Sequence, residues 1–166
     1  MNFRQEATIL VEVIDFGGLN HEKFISWVDG LIQDSEFAES WMIDLSLSQE
    51  HEKEKIAKIL GGISKHSFEG SFTELIAIAG SLCNLGKVSV DACWAYLTVY
   101  KDTIDIPEDD ADSLIAQEKI RLIEQWLEES HYSEEEMKKR DAVLRELMEM
   151  SIFKHAGVVK FVEKIT

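Results

Sequence analysis

His51-Glu52-Lys53-Glu54-Lys55 opens as a zinc-protease helix does, with a histidine followed at once by a glutamate. Zinc needs a second imidazole one helical turn further on, where both rings face the ion, and that position is Lys55, a cation at neutral pH. His21-Glu22 fails in the same way. Asp105-Ile106-Pro107-Glu108-Asp109-Asp110-Ala111-Asp112 carries enough carboxylates for calcium. It lacks the glycine of the sharp turn, and Pro107 stands where a ligand is needed. Gly17-Gly18 and Gly61-Gly62 are isolated pairs without the Lys-Ser/Thr that completes a phosphate cradle, and no Gly-x-Ser-x-Gly elbow presents a nucleophile. Cys83 and Cys93 have no Cys-x-x-Cys spacing and lie in or beside an apolar stretch, so they read as free, buried, unreactive thiols. Carboxylate pairs are so numerous that none stands out as an acid–base couple. The expectation is a protein with no catalytic, cofactor or metal site, and not an enzyme.

What these carboxylates do as a population is more informative. The 166 residues carry a formal charge of −15, concentrated in residues 1–60 (−7) and 101–150 (−9), on either side of a nearly neutral apolar middle. Phosphate recognition depends on Lys and Arg displacing counterions, so nucleic acid is disfavoured as a direct partner, and an anionic membrane surface is disfavoured for the same reason. A basic protein would be attracted, with its encounter rate raised at low salt. No window approaches the roughly 20 apolar residues that span a bilayer. The opening Met-Asn-Phe-Arg-Gln-Glu does not read as a signal peptide, which points to the cytoplasm.

The elements that would display this charge are helical. A single proline, Pro107, and many Glu, Lys, Leu and Ala favour helix, and apolar residues recur at three- and four-residue steps. Phe3 to Asp15 predicts a first helix stopped at Gly17, and Asn20 caps a second over His21–Asp34 with Phe24, Trp27, Val28, Leu31 and Ile32 inward. Glu36 to Leu47 predicts a shorter one with Phe37, Trp41, Met42 and Leu45 inward. Ser48 opens a helix that Gly61-Gly62 stops, and a loop runs from Ile63 to Gly70. Ser71-Phe72-Thr73-Glu74 is a capping box, in which serine and glutamate satisfy each other's amides. The helix it starts and the next one, carrying Trp94, Leu97 and Tyr100, form a central apolar hairpin. Ser113 to Glu129 is amphipathic, with Ile115, Leu122, Ile123, Trp126 and Leu127 on one face. Ser133-Glu134-Glu135-Glu136 is a second capping-box pattern, opening a helix with Met137, Leu144, Leu147, Met148 and Met150. Gly157 breaks it ahead of a final short helix or strand, Val158 to Ile165. The sum is an all-α, single compact domain over 1–166, of seven to nine helices with short loops. All four tryptophans fall on the inward faces.

Phe24-x-x-Trp27-Val28-Asp29-x-Leu31-Ile32, then Trp41-Met42-Ile43-Asp44-Leu45, together with the acidic blocks, resembles the small acidic all-helical immunity proteins of bacterial toxin systems. The resemblance covers about the first third of the chain. It implies a stoichiometric inhibitor of a basic toxin such as a nuclease, with that toxin as the cognate partner. Two surfaces are candidates for capture: the loop Asp105, Glu108, Asp109, Asp110 and Asp112, and the group Glu128, Glu129, Glu134, Glu135 and Glu136 around the aromatic anchor Tyr132. Two other readings stand beside it: a helical adaptor or regulatory subunit that binds through an apolar groove, and an enzyme of unrecognised type.

Overall fold

The computed structural model describes residues 2–64, 71–104 and 106–166. Among them the chain is all helical, with nine helices and no strand: α1 (Phe3–Asp15), α2 (His21–Asp34), α3 (Ser40–Ser46), α4 (Lys53–Ser64), α5 (Phe72–Asn84), α6 (Val90–Tyr100), α7 (Ala111–Glu129), α8 (Glu134–Lys154) and α9 (Ala156–Ile165). None is long and apolar enough to cross a membrane. The helices gather into two units. One holds α1 to α4 with Lys160–Thr166, and the other holds α5 to α8 and the chain as far as Val159.

In the first unit α1 packs on α4 and α2 on α3. Ala7, Leu10, Val13 and Ile14 bury one face of α1, and Ile56 and Leu60 bury the facing stripe of α4. Aromatic rings fill the space beside them. Phe3 stacks on Trp27 (5.7 Å) and Trp41 (4.9 Å), and Phe161 meets Trp27 edge-on at 6.0 Å. Trp27 satisfies its indole N–H by donating to Glu6 Oε2 at 3.2 Å, as a buried tryptophan must. Asn2 and Gln5 form a reciprocal capping box at the start of α1, a cap beyond those expected from the sequence. Two boundaries move. α3 starts at Ser40 rather than near Glu36, which leaves Phe37 outside the helix and exposed. α4 starts at Lys53 and runs through Gly61-Gly62 to Ser64. The glycine pair weakens that last turn without stopping it. Residues 65–70 of the expected loop lie outside the described residues.

The second unit is built around α5. From Phe72 to Leu82 only Glu74 reaches solvent appreciably, because α6, α7 and α8 all pack on this helix. The capping box at its start forms as expected, with Ser71 Oγ accepting from Glu74 N (3.1 Å) and Glu74 Oε2 from Ser71 N (3.0 Å). The α5–α6 hairpin is present, but its members differ. α5 is sunk and makes its main contact with α8, whereas α6 buries only Cys93 and Leu97. Polar ties hold α6 instead. Lys101, at its end, reaches Asp102 (2.8 Å) and Glu124 of α7 (2.9 Å), and Arg140 of α8 reaches back to Asp91. Cys93 is buried with its thiol against Ala79 O (3.5 Å), and burial, aided by the nearby Cys83 thiol, pushes its pKa up to about 12. It is a packing residue and no nucleophile.

α7 differs from the sequence expectation in its phase. The stripe that turns inward is Ala116, Ile120, Ile123 and Leu127, with Ser113 at its head. Ile115, Leu122 and Trp126, expected on the core face, are exposed, and so is Met150 of α8. The final segment is helix, and the break before it falls at His155, between Lys154 and Ala156, two residues ahead of Gly157.

Candidate functional site

The turn between α7 and α8 gathers most of the expected binding residues. α7 ends in a left-handed stop: His131 N donates to Glu128 O (3.3 Å) and Tyr132 N to Leu127 O (2.9 Å). The same pair of bonds closes α1 at Gly17 and α5 at Gly86. In those two stops a glycine takes the left-handed residue, as is usual. Here His131 (φ 52°) and Tyr132 (φ 58°) both do. A bulky side chain in that region costs energy, and such strain tends to collect where a residue is retained for another purpose. Ser133 then caps α8, its Oγ accepting from Glu136 N at 3.3 Å, and Glu134, Glu135 and Glu136 occupy the positive end of the helix dipole. Only this half of the expected capping box forms.

Tyr132 is 58% exposed and Trp126, one helical turn before the stop, 46%. The expectation that every tryptophan is inward therefore fails at Trp126. Its indole lines an open cleft of about 500 Å³ with Glu129, Ser130, Glu136 and Lys139. The carboxylates around it are partly neutralised from within. Glu134 pairs with Lys138 (2.7 Å), and Glu135 (3.2 Å) and Glu136 (2.8 Å) share Lys139. The hydrogen bonds that Lys139 donates to Glu136 and then Glu135 raise its pKa, which keeps it charged. Glu129 accepts from Gln125 at 2.8 Å, and Glu128 is exposed.

The second expected surface lies at the other end of α7, roughly 30 Å away at 1.5 Å per residue. Asp105 is outside the described residues. Glu108 and Asp109 are exposed and form no ion pair with a described residue. Asp110 is engaged as the N-cap of α7, accepting from Ser113 N (3.3 Å). Asp112 is held by Lys154 of α8 at 2.8 Å, whose hydrogen bond lowers the aspartate's pKa. Of the four described carboxylates of this loop two are therefore free, and they do not join the α7–α8 turn in one patch.

Near Asp112 the structure brings together groups that the sequence keeps 82 residues apart. His155 Nε2 lies 2.9 Å from Thr73 Oγ1, which also meets Ser71 Oγ at 2.9 Å and Ser113 Oγ at 3.5 Å. A hydroxyl, an imidazole and the Glu74 carboxylate suggest a proton relay by composition. The Glu74 Oε1 to His155 Nδ1 separation is 3.8 Å, too long for the hydrogen bond that would orient the ring. Thr73 is buried at the start of α5 with its oxygen already shared among three partners. Burial depresses the His155 pKa, so the ring stays neutral and ties the end of α8 to the start of α5. Beside it a crevice of about 120 Å³ is lined mainly by Ile115, Ala116, Leu147 and Met150, with Lys119 and Lys154. Among the described residues no three His, Cys, Asp or Glu side chains are grouped to hold a metal ion.

The strained stop yields a stability prediction. Replacing His131 with glycine removes the left-handed penalty and loosens the unfolded chain, two opposed effects of about 1 kcal/mol or slightly more and about 0.5–1 kcal/mol. His131→Gly should therefore raise stability by roughly 0.5 kcal/mol in urea denaturation. A loss would mean that the imidazole makes a compensating contact.

No family model, curated protein or solved structure matches this chain.

Proposed function

We propose that this chain is a protein-binding module, an immunity-type stoichiometric inhibitor that captures a basic toxin such as a nuclease in the cytoplasm. One observation carries the reading: two exposed aromatic side chains, Trp126 and Tyr132, stand among Glu128, Glu129, Glu134, Glu135 and Glu136 at a turn held in a costly backbone conformation. Binding energy at protein interfaces concentrates in a few aromatic anchors, and surrounding charge sets approach rate and partner choice. The −15 formal charge adds long-range attraction for a cationic surface and repels nucleic acid. The intrahelical lysines temper the local field, so the aromatic pair supplies most of the affinity and the carboxylates most of the rate.

A second reading has its own support. Ile115, Leu122 and Trp126 form an outward apolar stripe along α7, with Met150 of α8 beside Ile115 in the small crevice. An adaptor that binds an amphipathic helix in a groove would use such a stripe.

One experiment separates them. The protein is mixed with a basic nuclease domain taken from an adjacent reading frame of the source genome, if one ends in such a domain, and association is followed by stopped-flow fluorescence across a salt series. Capture by the acidic turn predicts a one-to-one complex that blocks toxin activity and forms more slowly as salt rises. Tyr132→Ala and Trp126→Ala should each weaken it by about tenfold or more, with helicity unchanged because both side chains are exposed. Salt-independent association lost on Ile115→Ser would favour the groove. The absence of any complex would remove the immunity reading.

A further inference from the structure

The first unit carries a separate exposed apolar face around α3. Phe37 is 82% exposed, Leu47 74% and Ile43 47%. Ile43 and Leu47 lie one turn apart on the same side of the helix, and Phe37 precedes it. The backbone beneath Ile43 and Leu47 is well fixed. Leu45 is fully buried, Ser46 Oγ donates to Asp29 Oδ1 at 2.6 Å, and Ser48 Oγ donates to Leu45 O at 2.6 Å. Trp41 stacks on Phe3 and donates to Glu39 at 3.0 Å. A rigid face loses little entropy on binding.

The charge around this face selects what covers it. Between Lys23 and Lys53 the chain has seven carboxylates and no lysine or arginine. Asp34, Glu36 and Asp44 are exposed and pair with no described cation, unlike the glutamates that open α8. A second copy of the chain is disfavoured, because a two-fold contact would set this acidic rim against itself. An anionic lipid surface is repelled by the same groups. We infer that the Phe37–Ile43–Leu47 face docks a cationic amphipathic helix of a partner protein. Apolar side chains at three- and four-residue spacing would seat on Phe37, Ile43 and Leu47, and flanking lysines or arginines would meet Asp34, Glu36 and Asp44. This surface belongs to the first unit and stands whether or not the α7–α8 turn captures a toxin.

The test uses a short synthetic helix of leucine and lysine with leucines on one face, a peptide of the same composition with leucines on all faces, and a leucine–glutamate counterpart. Binding is read from amide shifts of the ¹⁵N-labelled full chain and from anisotropy of labelled peptide. The patterned cationic peptide should shift amides of residues 34–47 and bind more weakly as salt rises. Phe37→Ser with Leu47→Ser should weaken it by about tenfold or more without lowering the melting temperature, since both residues are exposed. Asp34→Asn with Glu36→Asn and Asp44→Asn should also weaken it. Any one of four results overturns the inference: equal binding of the two cationic peptides, shifts confined to the α7–α8 turn, dimerisation in sedimentation that Phe37→Ser abolishes, or docking onto phosphatidylglycerol vesicles. Variants at Trp126 and Tyr132 leave this readout untouched, so it fails or succeeds independently of the toxin reading.

Discussion

Gly80→Leu should unfold the second unit or destabilise it by about 3 kcal/mol or more, one of the two largest losses expected from a single local change in this chain. A Cβ placed at Gly80 would lie 2.9 Å from Met148 Cβ and 3.1 Å from both Met148 Cγ and Ile152 Cδ1. The Met148 Cγ and Ile152 Cδ1 atoms can swing aside. Met148 Cβ cannot, because it is fixed to the backbone of α8, so the two helices must separate along the most buried contact of the unit. Gly80→Ala sets two terms against each other. Alanine gains about 1 kcal/mol in helix propensity, and overpacking costs about 1–3 kcal/mol, which leaves a net loss of about 1 kcal/mol. Gly30 in α2 supplies the control, since a Cβ there would meet nothing within 4 Å, and Gly30→Ala should gain most of the propensity term. A double-mutant cycle with Met148→Gly checks the cause: in that background Gly80→Ala should become favourable. If both alanine variants gain equally in denaturant melts, the close approach of α5 and α8 is wrong.

What the sequence revealed and what it hid follow from the range of the forces involved. Ser71 with Glu74, Asn20 and Ser133 were readable as caps because the bonds they make span three residues. The all-helical class was readable because every long segment repeats at helical spacing. The phase of α7 was not. Ile115, Leu122 and Trp126 share one face, Ala116, Ile120, Ile123 and Leu127 another, and both fit the helical period. Only the positions of α5 and α8 decide which stripe is covered. Phe37 was misplaced for a related reason, since its inward direction required α3 to begin a turn earlier than it does. Gly61-Gly62 looked like a breaker, and packing of the surrounding helix overrode a propensity cost of about 1 kcal/mol for each glycine.

The candidate site divides along the same line. Carboxylates flanking Tyr132 were legible because helix end, turn and helix start are contiguous in sequence. The engagement of Asp112 by Lys154, 42 residues away, and of Thr73 by His155 left no local trace. Nor did the exposure of Trp126, which turns an acidic turn into an acidic turn with two anchors. The left-handed backbone at His131 and Tyr132 carried a signal in hindsight: α7 must stop before Ser133 restarts the helix, and no glycine stands in between.

Arg140 supports the other large effect, and its sign depends on which partner is removed. The side chain is only 6% exposed, lies 5.9 Å over the Trp94 ring, and holds Asp91 of α6 and Asp141 of its own helix. Those carboxylates are far more exposed, 73% and 40%. Removing the cation therefore leaves two acids that water can solvate. Removing the acids leaves a guanidinium in a dry site beside an indole. Breaking a buried pair so that a charge is stranded costs about 3–5 kcal/mol, whereas replacing the buried charge with an apolar side chain of similar size is often close to neutral. Arg140→Met should accordingly cost about 1 kcal/mol or less. Asp91→Ala with Asp141→Ala should cost about 2–4 kcal/mol, somewhat below that range because Trp94 still faces the cation. Because α6 buries only two apolar side chains, the loss should appear first as faster amide exchange in Val90–Tyr100, ahead of α5. Equal costs for the two variants, or exchange rising uniformly across the second unit, would show that hydrophobic contacts hold α6 and that the ion pair is incidental.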